Sequence, residues 1–233
     1  MNIAEIRRYP VKSMGGESLP YVDLDTRGLV GDRWFSVVDQ DGKLGSGKNS
    51  SRFRRFDEIF EYTASGVGDE VRVVGPTGSW QVGERELERT LSKHLGAEVH
   101  VERKTGTPFW DAGHVSVVGT ASLDWCREHL DVDGDRRRIR PNLVVSTTEP
   151  FVEEGWGGAT IRVGSVVLTM DRRIERCRMV DIAQEGLAEQ HGWLKALGRE
   201  RDLCLGMYAE VSTPGRIDVG DAVSVVPRGV PTS

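Results

Sequence analysis

Cysteine is scarce in this chain: three residues in 233, Cys126, Cys177 and Cys204. An odd and widely spaced set holds no C-x-x-C pair. That removes zinc ribbons, iron–sulfur binding and thioredoxin-like redox work, and leaves free thiols in a reducing compartment as the simplest account. The five histidines form no H-x-x-H or H-E-x-x-H spacing, so a zinc hydrolase has no support. No apolar run approaches the roughly 18 residues of a membrane span. The start, Met1-Asn2-Ile3-Ala4-Glu5-Ile6-Arg7-Arg8, carries an acid early and no apolar leader core, which predicts a cytoplasmic protein without a membrane partner. A net charge of -5 argues against a general nucleic-acid binder. Lysine is also rare, six of the 31 basic residues.

Glycine is abundant instead, 28 residues, with 9 prolines, and so many turns predict short elements. Strands are expected over 3–8, 21–24, 34–38, 59–63, 71–74 and 98–101, with a hairpin turn at Asp41-Gly42. Leu87, Leu91 and Leu95 stand at i, i+4 and i+8 and predict an amphipathic helix over 84–95. The pattern restarts after Gly106, Pro108 and Gly113. It continues as strand 115–118, helix 122–130, strand 143–146, hairpin 160–163/166–170, helix 187–197 and strands 205–211 and 222–226. The expected division is 1–104 and 105–228, with 229–233 as a disordered tail. Many short strands and few helices predict a β-barrel or sandwich with helices at its rim.

The arginines gather at Arg52, Arg54 and Arg55, along 136–140, and at Arg172, Arg173, Arg176 and Arg178. Arginine's planar, permanently charged fork suits phosphate and carboxylate, although solvated charge faces give the same pattern. Gly42 to Lys48 fits G-x-x-x-x-G-K after a strand. Asn49 stands where a P-loop needs a Mg²⁺-binding hydroxyl, and 52–56 lacks a helical apolar stripe, so a turn-rich hairpin loop is the better reading.

Several fragments together resemble the MOSC family. They are Tyr9-Pro10-Val11-Lys12-Ser13, Gly31-Asp32-Arg33-Trp34, His114-Val115-Ser116-Val117-Val118 leading into Ala121-Ser122-Leu123, Arg140-Pro141-Asn142-Leu143-Val144-Val145, and Cys177 with Asp181 four residues on. The chain is most similar to the subgroup with the mitochondrial amidoxime-reducing component and bacterial ferredoxin-fused proteins. Three departures stand out: Ser46-Gly47-Lys48-Asn49 in place of an arginine-containing loop, Thr120 in place of an aspartate, and no ferredoxin-like cysteine set after Val226.

The resemblance implies a β-rich α+β fold, a MOSC-type β-barrel with rim helices preceded by a smaller N-terminal β-barrel-like region. It also implies a molybdenum cofactor whose metal is ligated by Cys177, with Lys12, Ser13, Arg33, Ser122, Arg140 and Asn142 at cofactor-binding positions. A soft thiolate suits such a metal, and the flanking Arg176 and Arg178 would favour the thiolate; a buried, inert cysteine is the alternative. Lys12 and Arg33 are otherwise surface charges, and Asn142 a turn residue. Asp181 serves either proton transfer or a helix N-cap. Cys126 and Cys204, beside Trp125 and between two leucines, read as core. The implied activity is reduction of small N-hydroxylated or N-oxide-type substrates, with electrons from a separate ferredoxin, flavodoxin or cytochrome-type protein. A persulfide or molybdopterin carrier is the rival. A pyridoxal-phosphate protein would need a Schiff-base lysine, for which Lys12 is the one near the site.

Overall fold

The computed structural model describes residues 1–227. The expected tail, 229–233, lies outside them. Its largest element is an eight-stranded sheet in the order Val223–Val226, Thr160–Val163, Val166–Glu175, Cys204–Thr213, Val115–Gly119, Leu143–Val145, Ile3–Arg8 and Glu17–Leu19. The first strand of the chain therefore pairs antiparallel with Leu143–Val145, deep in the second half of the sequence. Val115–Gly119 and Leu143–Val145 run parallel, joined through helix Thr120–His129. Among the described residues the ladder does not close into a barrel, but the sheet curls until Asn2 bridges Ala222. Its concave side is filled by Ile3, Ile6, Val117, Leu143, Leu168, Met170 and Met207, all buried.

A second layer holds a four-stranded sheet, Val99–Arg103, Phe35–Asp39, Leu44–Ser46 and Phe53–Arg55, and a three-stranded one, Gly78–Gln81, Arg72–Gly75 and Thr63–Ser65. Helix Arg85–Leu95 closes this layer with Leu87, Leu91 and Leu95, the stripe its spacing predicts. It ends at Gly96, whose φ of 65° is the left-handed cap that glycine adopts without a Cβ penalty. A third apolar cluster joins Leu123, Cys126, Trp193, Leu197 and Leu205 behind the main sheet.

Three expectations are corrected. Residues 59–63 are not a strand: Asp57–Glu61 is a 3-10 helix, with strand Thr63–Ser65 after it. Ile59 and Phe60 are both fully buried, and a strand would send neighbours to opposite faces. The helix expected over 187–197 is Trp193–Arg201, because Gly186 and Gly192 take φ of 80° and 121° and interrupt any earlier turn. The strand expected to end at Met170 continues to Glu175, with irregular register on either side of Arg173. Such bulges re-aim side chains, and here they deliver Arg172, Arg173 and then Cys177 to the sheet's end.

Candidate functional site

The motif fragments are hydrogen-bonded to one another. Residues 9–12 run beside 33–35: Arg33 N donates to Tyr9 O at 2.7 Å, Phe35 N to Pro10 O at 3.1 Å, and Lys12 N to Phe35 O at 2.8 Å. Asp32, 1% exposed, accepts from Tyr9 N at 2.8 Å and pairs with the Arg33 guanidinium. Asn142 ties in the second half. Its Oδ1 accepts from Ser116 N at 3.1 Å, Ser116 Oγ at 2.9 Å and Arg33 Nη1 at 3.3 Å, while Nδ2 donates to Arg7 O at 3.3 Å. The buried Tyr9 ring lies against three guanidiniums, Arg140 at 4.3 Å, Arg33 at 5.1 Å and Arg7 at 5.6 Å.

These segments open onto a cavity of about 490 Å³ lined by Lys12, Ser13, Arg33, Arg140, Asn142 and Cys177. Nine lining residues are Lys or Arg, and two, Asp111 and Glu175, are acidic. Ser13, Arg33 and Arg140 have φ of 69°, 55° and 51°, the left-handed region that non-glycine residues avoid at a cost of about 1–2 kcal/mol each. Such strain gathers where side-chain placement outweighs stability. Arg140 is 6% exposed; its Nη2 donates to Met14 O, but its buried Nη1 has no hydrogen-bond partner. Burial, with Arg33 and Arg7 alongside, lowers its pKa from the ordinary value.

Lys12 Nζ is 2.6 Å from Asp111 Oδ1 and 3.1 Å from Phe109 O. Burial pushes its pKa down to about 8, with Asp111 opposing the fall and Arg33 and Lys48 adding to it. Burial alone would raise the Asp111 carboxyl, but Lys12 and Lys48 hold it well below the usual range. Lys48 also lines the cavity, so Lys12 is not the one lysine at the site. No helix follows the glycine-rich loop, since Phe53–Arg55 is a strand parallel to Leu44–Ser46, which disposes of a P-loop.

Cys177 is half-buried and precedes the 3-10 turn Arg178–Val180. The flanking arginines spend their hydrogen bonds on groups other than its sulfur, although Arg176 lines the same cavity. Arg176 donates to Leu205 O and to Ile139 O at 2.7 Å, and Arg178 pairs with Asp57 at 2.6 Å. Cys204, expected in the core, is half-buried and lines the same cavity. Only Cys126 is a core thiol, and burial pushes its pKa up to about 12.

Two expected site residues stand apart from the cavity lining. Ser122 is fully buried; its Oγ donates to Glu153 Oε1 at 2.6 Å and accepts from Phe151 N at 2.7 Å. It locks helix Thr120–His129 to the following 3-10 turn. Asp181 does not line Cys177's cavity and no helix begins at Ile182 for it to cap; its Oδ1 instead accepts at 3.3 Å from Leu194 N in helix Trp193–Arg201. Asp111 and Tyr208 also line the cavity and were not singled out from sequence, while Lys48, Arg52 and Cys204 were noted there but not as site residues. For Cys204 a signal existed: it adjoins core Leu205 in a strand, where neighbours face opposite ways.

Known proteins agree with this frame. Mitochondrial amidoxime-reducing component 1 of Mus musculus is 22% identical over 278 aligned positions, covering 95% of this chain and 81% of that protein. Molybdenum cofactor sulfurase of Oryza sativa subsp. japonica is 35% identical over 60 residues, 26% of this chain, which spans only 7% of that protein's length. The crystal structure of the YuaD protein from Bacillus subtilis superposes with a TM-score of 0.55 at 15% identity, covering 96% of this chain and 94% of that one, and shares the fold. The MOSC N-terminal beta barrel domain matches residues 1–107 and the MOSC domain residues 78–224. The chain belongs to the MOSC domain family.

Proposed function

We propose that the cavity holds a molybdenum–pterin cofactor with Cys177 as the protein's ligand to the metal. In this reading the protein removes oxygen from small N-hydroxylated or N-oxide-type compounds. The observation that carries it is the convergence of Lys12, Ser13, Arg33, Arg140, Asn142 and Cys177 on one cavity. The residues fit the group. Its phosphate needs cations, and nine line the wall; its polar edges need buried donors, and Arg140 Nη1, 3.9 Å from Glu185 Oε1, makes no hydrogen bond; its metal needs a soft ligand, and two half-buried thiols line the cavity.

When bound, the cofactor would supply a metal that changes oxidation state while accepting the substrate's oxygen. The chain supplies the rest. Lys12, Lys48 and Arg33 offer charge to the phosphate, Arg140 a forked donor, and Tyr9 the rigid platform on which Arg33 and Arg140 rest. In this reading electrons come from a separate protein of ferredoxin, flavodoxin or cytochrome type, as the family resemblance implies.

Protein purified from a host that makes the cofactor tests this. Molybdenum near one per chain, the fluorescence of an oxidised pterin, and reduction of an N-hydroxylated amidine by an excess chemical donor are expected. Sulfane sulfur on Cys177 without molybdenum would replace this reading with the carrier.

A further inference from the structure

We infer that residues 109–112 form a displaceable plug, in which the Asp111 carboxylate occupies an anion subsite that a ligand's phosphate takes over. The inference deepens the cofactor reading and rests on it for the natural ligand; the displacement itself belongs to any phosphate-bearing dianion.

Four cations of the cavity wall, from three separate parts of the chain, hold this short segment, three by hydrogen bonds and Lys48 by an ion pair. Lys12 reaches Phe109 O and Asp111, and Lys48 Nζ lies 3.8 Å from Asp111. Arg52 Nη2 donates to Trp110 O at 3.0 Å, and Arg172 Nη2 to Ala112 O at 2.9 Å. Nothing regular holds the segment, which lies in the connection between strands Val99–Arg103 and Val115–Gly119.

Its ends are pinned while its middle is not. Phe109 is 2% exposed, and its N donates to Arg33 O at 2.7 Å. Gly113 lies so close to Tyr208 that an added Cβ would come within 2.5 Å of the ring. Between them Asp111, whose side chain is 37% exposed at the cavity mouth although its carboxylate sits against Lys12, and Ala112 are open to solvent. The plug thus presents three neutral carbonyls and one carboxylate to four cations. Bonds between two charged groups are roughly twice as strong as neutral ones, so a phosphate dianion outbids the carbonyls. A neutral or singly charged ligand does not. Asp111 meanwhile keeps the buried Lys12 ammonium paired, which avoids the cost of an uncompensated charge. The plug therefore selects for a dianionic ligand as well as shielding the wall.

The test uses the full chain purified without cofactor and inorganic phosphate as the probe. Phosphate should speed amide exchange across 109–112 in the unmodified protein. Asp111→Asn should bind phosphate about tenfold more tightly by titration calorimetry, a difference of about 1.4 kcal/mol. Glu175→Gln removes the other carboxylate of the wall, which has no ion pair among the described residues, and should gain far less. Lys12→Gln should lose most of the binding. Equal gains in Asp111→Asn and Glu175→Gln would reduce the effect to general electrostatics and overturn the plug. Exchange at 109–112 that slows or stays constant on phosphate binding would overturn it too, and this needs no variant to fold. The molybdenum content of the purified protein is measured separately, so failure of the cofactor reading leaves these outcomes intact.

Discussion

The cavity wall and the helical layer behind the main sheet are built by the same stretches of chain to opposite rules. In Arg136–Ile139 the last side chain joins the apolar cluster of Trp193 and Leu197, while the next residue, Arg140, bends left-handed and lines the cavity. In Cys204–Thr213 the same division falls between Leu205 and Cys204. The helical layer is closed by apolar side chains, and it too carries left-handed residues, Phe151, Asp202 and Leu203, and a buried Glu153 Oε2 without a hydrogen-bond partner. The wall differs in the like charge it crowds together, nine cations against two carboxylates around one cavity, which costs stability. That charge is what marks the wall as a binding surface.

Thiol reactivity gives the largest expected difference. At neutral pH the thiolate fraction of Cys126, with its pKa near 12, is on the order of 10⁻⁵. Brief iodoacetamide treatment of cofactor-free protein followed by mass mapping should label Cys177 and Cys204 and spare Cys126. Early labelling of Cys126 would erase the distinction between the two regions.

The next contrast is in stability. Trp193 is fully buried, with its Nε1 donating to Gln190 at 3.0 Å and Asp133 at 3.1 Å. Trp193→Ala should cost about 3–5 kcal/mol in denaturant unfolding. Arg140→Ala should leave folding far less affected but weaken cofactor retention by about 1.5–3 kcal/mol, roughly ten- to hundredfold, read as molybdenum kept through gel filtration. Intact retention would demote Arg140 to a structural part.

The smallest effect concerns pH. Burial has brought Lys12 down to about 8, so above that pH the folded protein loses a positive charge that an unperturbed lysine would keep. An anion favours the protonated form; phosphate affinity should rise with pH while the probe gains its second negative charge, and fall by up to about tenfold per unit above pH 8. Lys12→Arg should flatten that fall, because guanidinium stays charged. An unchanged slope would assign the loss to another group.

Much of the frame was legible in the sequence. The Leu87/Leu91/Leu95 stripe and the hairpin at 160–170 follow from periodicities that local packing obeys. The family fragments located seven of the wall's 24 residues, Lys12, Ser13, Arg33, Ser116, Arg140, Asn142 and Cys177. Contacts that exist only after folding were not legible. Lys12 meets Asp111 across 99 positions, and no local pattern announces it. Ser122 failed in the converse way: its motif position is right, but the hydroxyl turns into a buried bond with Glu153. Cys204 was hidden by its leucine neighbours, whose alternation in a strand points it the other way.

The central claim is that Cys177 is the protein ligand of a metal held by the cationic wall. X-ray absorption at the molybdenum edge of loaded protein tests it most directly, comparing the unmodified chain with Cys177→Ser and Cys204→Ser. The account predicts that one sulfur neighbour of the metal disappears in Cys177→Ser alone. A spectrum unchanged in Cys177→Ser, or a sulfur lost in Cys204→Ser instead, would contradict it.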